Sequence, residues 1–476
     1  MERTPTAKNK IIYDVLYGFI RLNEIEWEII HTPFFQRLRW IKQLGFSSYT
    51  FHGAEHSRYG HSIGVMFNAH SILHSIKKAV PDEKLFDESN HEPDTIFHKS
   101  IRIAAMLHDL GTFMFSHTTE MAYIEFGKTL NDKEGKGRND DHEHLGSFII
   151  KNTNYPGGIT HILKKYGIDP QRISDLVKGK DSSVLANQIL HSEIDCDRMD
   201  YLLRDAYYTG LKYGAYDRDY MLHHFSVEQV NNTDILTLKL NALHCVEDFL
   251  MARFAWYSQV VRSPRGAKYD ALAEEVCFYL LEKGLIYRYS ELLDMVANDP
   301  VRFYGFNDQY FITLIHKLFL DGSLDKEPRI KDLVESLLFE KSPRTVKAEE
   351  LKQRILNQDE EQKNDKVLKR ANEKIEKIAD TLKKHGTSKD WIVIDLPKKD
   401  LLFVKSQRNI KKHSGPNILL ERDPVKISLG NGEVKLLVDV ENSIISNLQK
   451  TVNFIPNVFC SDSAYEILKE HQLVVE

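Results

Sequence analysis

The sequence predicts a mainly α-helical protein with a smaller C-terminal α+β lobe. Three observations carry this. Apolar residues recur at helical spacing over most of the first 340 residues. The one alternating pair of runs in that region, Phe225–Leu240, is short. Strand-like runs gather only after residue 390. With 476 residues, 42% hydrophobic and 28% charged, the chain is globular in composition and long enough to bury a substantial core.

The elements follow in order. Residues 31–50 begin HTPFFQRLRWIKQLG; Pro33 suits a first helical turn and Gly45 a helix end, which predicts one helix. Over 59–80, Ile63, Met66, Phe67, Ala69, Ile72, Leu73 and Ile76 keep helical spacing until Pro81. The run IRIAAML within 100–110 predicts a core helix ended by Gly111. Residues 187–209 and 243–262 predict two more, and NNTD between two alternating runs predicts a hairpin over Phe225–Leu240. Residues 1–340 therefore form the helical core. Residues 341–390, rich in Lys and Glu, read as a charged helical linker. Residues 391–476 form the α+β lobe, with runs WIVIDL, LLFV and VKISLGNGEVKLLVDV; Asn431–Gly432 is a strong hairpin signal.

Composition excludes several functions. A net charge of −5 argues against a general nucleic-acid coat and leaves nucleic acid a weak candidate partner. The four cysteines are scattered and form no CxxC, so neither a disulfide framework nor a cysteine-zinc site is expected. The N-terminus is polar and no run of about 18 apolar residues occurs, so neither a secretory signal nor a membrane helix is expected; free cysteines fit a cytoplasmic location. Histidine is abundant, with 21 residues, many in the first 200.

His108–Asp109 ends the most apolar helix of the N-terminal half. Burying two unpaired ionisable groups is costly, and sharing a cation resolves that cost. His61 opens the preceding helix, with Arg58 three residues earlier. Asp197, Tyr201 and Asp205 are spaced by four and share one helix face. Three helices thus bring two imidazoles and two carboxylates, a donor set suited to Mn, Fe, Zn or Mg that leaves positions for water and substrate oxygens.

The segments HTPFFQRLRWIKQLG, HSRYGHSIGV, AAMLHDLGTFMFSH, DHEHLGS and EIDCDRMDYLLRDAYYTG occur in this order. Together they resemble the HD-domain deoxynucleoside triphosphate triphosphohydrolases, clearly over residues 10–290 and more weakly in the C-terminal lobe. No separate SAM-like domain is expected ahead of the core. The resemblance implies an HD-domain helical core, a divalent metal held by His61, His108, Asp109 and Asp197, and hydrolysis of a dNTP to deoxynucleoside and inorganic triphosphate. It places His117 beside the α-phosphate, Glu120 as its orienting acid, and His142 as a second active-site histidine. It assigns Arg58 to phosphate, Gln43 and Leu44 to the sugar 3′-OH, and Tyr201 and Asp205 to the sugar face, the tyrosine ring disfavouring a ribose hydroxyl. Arg253 and Tyr257 fall near the triphosphate-binding helix. A homo-oligomer, dimer or tetramer, is implied as well. The alternatives are an HD phosphohydrolase or phosphodiesterase acting on another nucleotide, and a non-catalytic nucleotide- or nucleic-acid-binding module.

Four positions depart from the resemblance. Thr112 stands where relatives carry a histidine directly after HDLG, and Gly60 where they often carry an acid. His31 and Tyr13 occupy the Asp and Asn positions of the activator pocket, although Gln36 and Arg39 remain, so a guanine-nucleotide activator of that type is not expected. The polar segment Lys128–Asp141 reads as a surface loop, with a substrate lid as the alternative. His70, His74, His91, His98, His161, His223 and His224 read as background; His52, His56, His144 and His191 stay open.

Overall fold

The computed structural model describes residues 10–79, 95–134, 140–357, 360–396, 401–402, 416–448 and 451–475. The fold is mainly α with small sheets. It opens on a hairpin, β1 (Lys10–Asp14) and β2 (Gly18–Leu22), turned at Gly18 with φ +69°, then α1 (Glu24–Ile30) and α2 (Pro33–Arg37). The main body follows: α3 (Arg58–Ala79), α4 (Ile96–Leu107), α5 (His117–Glu134), α6 (His142–Asn152), α7 (Ile159–Lys165), α8 (Pro170–Val177), α9 (Val184–His191), α10 (Cys196–Thr209) and α11 (Arg218–His224). Then come β3 (Phe225–Val230), β4 (Thr233–Lys239), α12 (Leu243–Trp256), α13 (Pro264–Glu282), α14 (Tyr289–Asn298), α15 (Pro300–Tyr304), α16 (Asp308–Leu320) and α17 (Pro328–Leu338).

Helix α3 is the organising element. Its apolar positions Ile63, Met66, Ala69, Ile72 and Leu73 are buried, and it packs on α4 and on α10. Helix α4 is buried along Ile101, Ile103, Ala104, Ala105, Met106 and Leu107, so the chain emerges at His108 from the centre of the core. Burial of such runs from water supplies the main driving force for the arrangement. Among the described residues, no helix is long and apolar enough to cross a membrane.

The hairpin predicted over Phe225–Leu240 forms as β3 and β4, with Asn231 and Asn232 both at positive φ, as a tight turn with right-handed strand twist requires. Residues 31–50 do not form the single helix that Pro33 and Gly45 predict. Helix α2 spans five residues, and 3₁₀ turns follow at Leu38–Trp40 and Gly45–Tyr49. The cause is tertiary: the amides of Lys42 and Phe46 donate to carboxylates of Asp308 and Asp270 rather than to a helix carbonyl. Residues 187–209 are likewise two helices. Ser192 is extended and Asp195 caps α10, accepting from Arg198 N, so Asp197 lies in a first helical turn. Residues 243–262 begin as α12 and end in a π-helical turn at Tyr257–Val261.

After α17 come β5 (Arg344–Thr345), β6 (Arg354–Asn357), α18 (Glu361–His385), β7 (Ile392–Asp395), β8 (Leu401–Leu402), β9 (Lys426–Gly430), β10 (Glu433–Leu436), α19 (Ile444–Leu448), β11 (Thr451–Phe454), β12 (Asn457–Cys460) and α20 (Asp462–Glu470). Of the run LLFV, Leu401 and Leu402 are described and the rest lies outside the described residues. Residues 341–390, expected as a charged helical linker, give two short strands, a 3₁₀ turn and the helix α18. Its Ala371, Ile375, Ile378 and Leu382 bury against Val458, Ala464 and Leu468 in a second, smaller core. The C-terminal lobe is shared between two cores. Strand β9 pairs in parallel with β4, giving the order β10-β9-β4-β3, and Ile427, Leu437 and Ile445 join the main core. The Asn431–Gly432 turn joins β9 to β10 with both residues at positive φ.

Candidate active site

Three helix ends meet beneath one cleft: the first turn of α3, the C-terminus of α4 and the first turn of α10. His61 Nε2 lies 3.1 Å from Asp197 Oδ1 and 3.6 Å from Asp109 Oδ2. His108 Nε2 lies 3.3 Å from Asp109 Oδ2 and 3.7 Å from Asp197 Oδ1. Both Nε2 atoms are buried and lack a hydrogen-bond partner. Both Nδ1 atoms are anchored: that of His61 donates to Asp200 Oδ2 at 2.8 Å, and that of His108 to the Ala105 carbonyl at 2.7 Å. Anchoring Nδ1–H leaves the Nε2 lone pair aimed at the shared centre, the usual preparation of a metal-binding imidazole. His61, His108 and Asp197 form a group able to hold a metal ion. Asp109 faces the same centre but is also ion-paired to Arg58.

The electrostatics point the same way. Burial alone would depress the His61 imidazolium, but Asp197 and Asp200 outweigh it and raise its pKa to about 10. Burial would raise Asp109, yet Arg58 and His108 hold it well below the usual carboxylate range. The centre therefore demands positive charge, as proton or as cation. Behind it, Asp200 also accepts from Tyr17 Oη at 2.9 Å and from Arg204 Nε and Nη2 at 2.8 and 3.0 Å, and Arg204 pairs with Asp14 at 3.0 Å. Asp200 escaped the sequence reading, although its place three residues after Asp197 puts it on a neighbouring helix position.

A second cluster lies on α5 and α6. Glu120 Oε2 accepts from His117 Nδ1 at 2.7 Å, while Oε1 accepts from His142 Nδ1 at 2.6 Å and His142 N at 2.8 Å. Burial would lower His142, but Glu120 lifts it to about 9; burial would raise Glu120, but the His142 and His117 rings hold it well below its ordinary value. His117, Glu120 and His142 form a second group with metal-ligand spacing.

The loop ahead of α5 is strained. Phe115 and Ser116 are both left-handed, with φ of 52° and 59°. Two buried carboxylates from distant helices hold it. Asp308 accepts from Phe115 N at 2.6 Å and Lys42 N at 2.8 Å. Asp270 accepts from Thr118 Oγ1 at 2.7 Å and Phe46 N at 3.0 Å. Burial pushes both carboxyls up to about 7. Gly45 sits against Asp270 at φ +52°, where an added Cβ would stand 2.7 Å from Oδ1.

All the predicted site residues except His61, Glu120 and Arg253 line one cleft of about 450 Å³. His61 and Glu120 lie behind it. Arg253 does not line it: the side chain is buried and turned toward Glu193, 3.9 Å away. Asp205 accepts from His56 Nε2 at 2.8 Å, and the His56 ring stacks on Tyr208. Thr112 is buried away from the cleft, its carbonyl accepting from Arg37. Of the segment Lys128–Asp141, helix α5 takes residues up to Glu134, residues 135–139 lie outside the described residues, and Asp141 caps α6. His91 also lies outside them. The sequence reading missed Arg198, Asp270 and Arg422 as cleft residues and left His191 open; His191 lines the cleft too.

Comparison with known proteins gives this geometry a context. The HD domain model matches residues 58–205, the stretch that carries His61, His108, Asp109, Asp197 and Asp205. The chain is 30% identical over 304 residues to the uncharacterized protein YwfO of Bacillus subtilis, covering 63% of this chain and 61% of that protein. It is 34% identical over 211 residues to the deoxynucleoside triphosphate triphosphohydrolase SAMHD1 homolog of Dictyostelium discoideum, covering 42% of this chain and 37% of that protein. The chain thus spans less than two thirds of the length of these relatives. A crystal structure of a hypothetical protein from Aquifex aeolicus superposes with a TM-score of 0.64 at 23% identity, covering 97% of this chain and all of that one, a likeness of fold. Residues 58–205 thus carry an HD domain, in a chain similar over part of its length to a deoxynucleoside triphosphate triphosphohydrolase SAMHD1 homolog.

Proposed function

We propose that the protein hydrolyses deoxynucleoside triphosphates, in a metal-dependent reaction, to deoxynucleoside and inorganic triphosphate. One observation carries the reading: two buried imidazole Nε2 atoms, each with its Nδ1 anchored, face two carboxylates in the same cleft as a second, carboxylate-held histidine pair. His61, His108, Asp109 and Asp197 would hold a divalent cation; when bound it polarises a phosphoryl oxygen and lowers the pKa of water. Arg58, lining the cleft beside Asp109, meets phosphate oxygens. Tyr201 and Asp205 on α10, with Gln43 and Leu44 opposite, receive the sugar, and the Tyr201 ring excludes a 2′-hydroxyl. Water adds to the α-phosphorus, the bond to the 5′-oxygen breaks, and that oxygen takes a proton. His117 supplies it, its Nδ1 held by Glu120 and its Nε2 left for the cleft. Tyr257 flanks the triphosphate. The protein works as a homo-oligomer.

The test is incubation with Mn²⁺ and each dNTP, resolving deoxynucleoside and inorganic triphosphate. Release of monophosphate or pyrophosphate would overturn the reading in favour of another HD phosphohydrolase chemistry. Metal analysis of the purified protein decides among Mn, Fe, Zn and Mg.

A further inference from the structure

Three arginines line the cleft among the described residues: Arg58, Arg198 and Arg422. Two are already committed. Arg58 is paired with Asp109, its side chain 6% exposed. Arg198 is paired with Asp195, donates to the Ser192 carbonyl at 2.8 Å, and is 14% exposed. Arg422 differs. Its side chain is 46% exposed, and its one described ion pair, with neighbouring Asp423, is long at 3.4 Å. An exposed pair of this kind holds its arginine weakly and releases it readily to a stronger anion.

The backbone that carries Arg422 is fixed where the side chain is free. The Glu421 carbonyl accepts from Gln188 Nε2 at 3.0 Å and from Lys426 Nζ at 2.5 Å. The Asp423 carbonyl accepts from Glu193 N at 3.1 Å. These contacts dock residues 421–423 onto α9 and the break before α10, the break that also sets Asp197. Residue 179 is glycine at φ +64°, and a Cβ there would stand 2.4 Å from Arg422 Nη1, so the guanidinium lies directly over its backbone at the cleft wall. A planar fork held at a cleft edge, partly desolvated and not saturated by carboxylate, suits bidentate recognition of phosphate.

We propose that Arg422, supplied by the segment leading into β9, binds the distal phosphates of a polyphosphate-bearing ligand in the cleft. The inference rests on the polyanionic substrate of the proposed function, and it adds a residue from outside the stretch matched by the HD domain model. The full-length protein, R422A and R422K are compared by calorimetric titration with inorganic tripolyphosphate and with orthophosphate at constant metal, and by dNTP kinetics. R344A, an exposed arginine paired with Asp462 far along the chain, is the control for lost charge. R422A is expected to weaken tripolyphosphate binding about tenfold, to leave orthophosphate binding within twofold, and to raise KM for a dNTP more than it lowers kcat. R422K recovers part of the loss, and R344A shows none. The inference is overturned if R422A binds tripolyphosphate as the parent does, if R344A weakens it equally, or if the parent fails to bind it. Should the parent bind tripolyphosphate through Arg422 yet turn over no dNTP, the proposed reaction falls and the phosphate contact stands.

Discussion

The two histidine clusters of the cleft use carboxylates in opposite ways. In the cluster of His61 and His108, the rings are anchored elsewhere, through Asp200 and the Ala105 carbonyl, and the carboxylates of Asp109 and Asp197 share the centre with the two Nε2 atoms. In the cluster of His117 and His142, the single carboxylate of Glu120 is itself the anchor and takes both Nδ1 atoms. The first arrangement concentrates negative charge on a point able to hold a cation. The second spends its charge on orientation, with Glu120 holding both rings by Nδ1. Residue types alone do not separate the two arrangements, and neither does the tied nitrogen, which is Nδ1 in all four rings; what differs is that carboxylates face the free Nε2 atoms of His61 and His108.

The comparison breaks first at Asp197. D197A is expected to lose stoichiometric metal and to lower turnover by about 10³-fold or more, the scale of several kcal/mol of charge stabilisation. Metal analysis alongside the rate checks it, and an Ala variant that keeps its metal removes Asp197 from the ligand set. E120Q should act on the other cluster, cutting kcat by about 10²-fold while metal content stays unchanged. The same variant has a pH signature. His142 is raised from 6.5 to about 9, so its contribution to stability is fully present below 6.5 and fades as pH rises through 9. Glu120 is lowered, so its contribution is present above 4.5 and fades as pH falls. E120Q should bring the His142 titration, followed by NMR, back toward 6.5.

Gly64→Ala probes the support behind the first cluster. A Cβ there would stand 1.9 Å from Asp200 Oδ1 and 2.6 Å from its Cγ, a short side chain with no room to give. Thermal unfolding should show a loss of about 1–3 kcal/mol, with weakened metal retention because Asp200 is pushed off His61. The smallest effect is expected at Asp308. D308N keeps one acceptor and loses the other, loosening the strained turn that aims His117, and should lower kcat by about tenfold. The carboxyl of Asp308 is raised from 3.8 to about 7, so its contribution to stability is complete below 3.8 and is lost as pH rises through 7. D308N should therefore flatten the fall in Tm between pH 5 and 8.

Much of this was legible in the sequence where neighbours in space are neighbours in chain or on one helix face. His108–Asp109 announces itself by ending an apolar helix, and Asp197, Tyr201 and Asp205 by a spacing of four. The rest rests on long-range contacts that periodicity does not encode. Asp270 and Asp308 break the expected helix of residues 31–50 by capturing the amides of Phe46 and Lys42 from more than 200 residues away. Arg253 has the right helical spacing for the cleft but turns to Glu193, a residue in the helix break that local propensity does not reveal. The amphipathic charge of α18 reads as solvated until helix α20 and strand β12 supply the surface its apolar stripe buries against.

The parallel pairing of β9 with β4 has a consequence for synthesis. Every residue of both histidine clusters leaves the ribosome more than 200 residues before Arg422 and Asp423, which wall the cleft. At roughly 5–20 residues per second, the nascent core waits on the order of ten seconds or more with that wall missing. Throughout that interval the clusters face water on a side the finished protein covers, and the cleft closes only once that wall has docked.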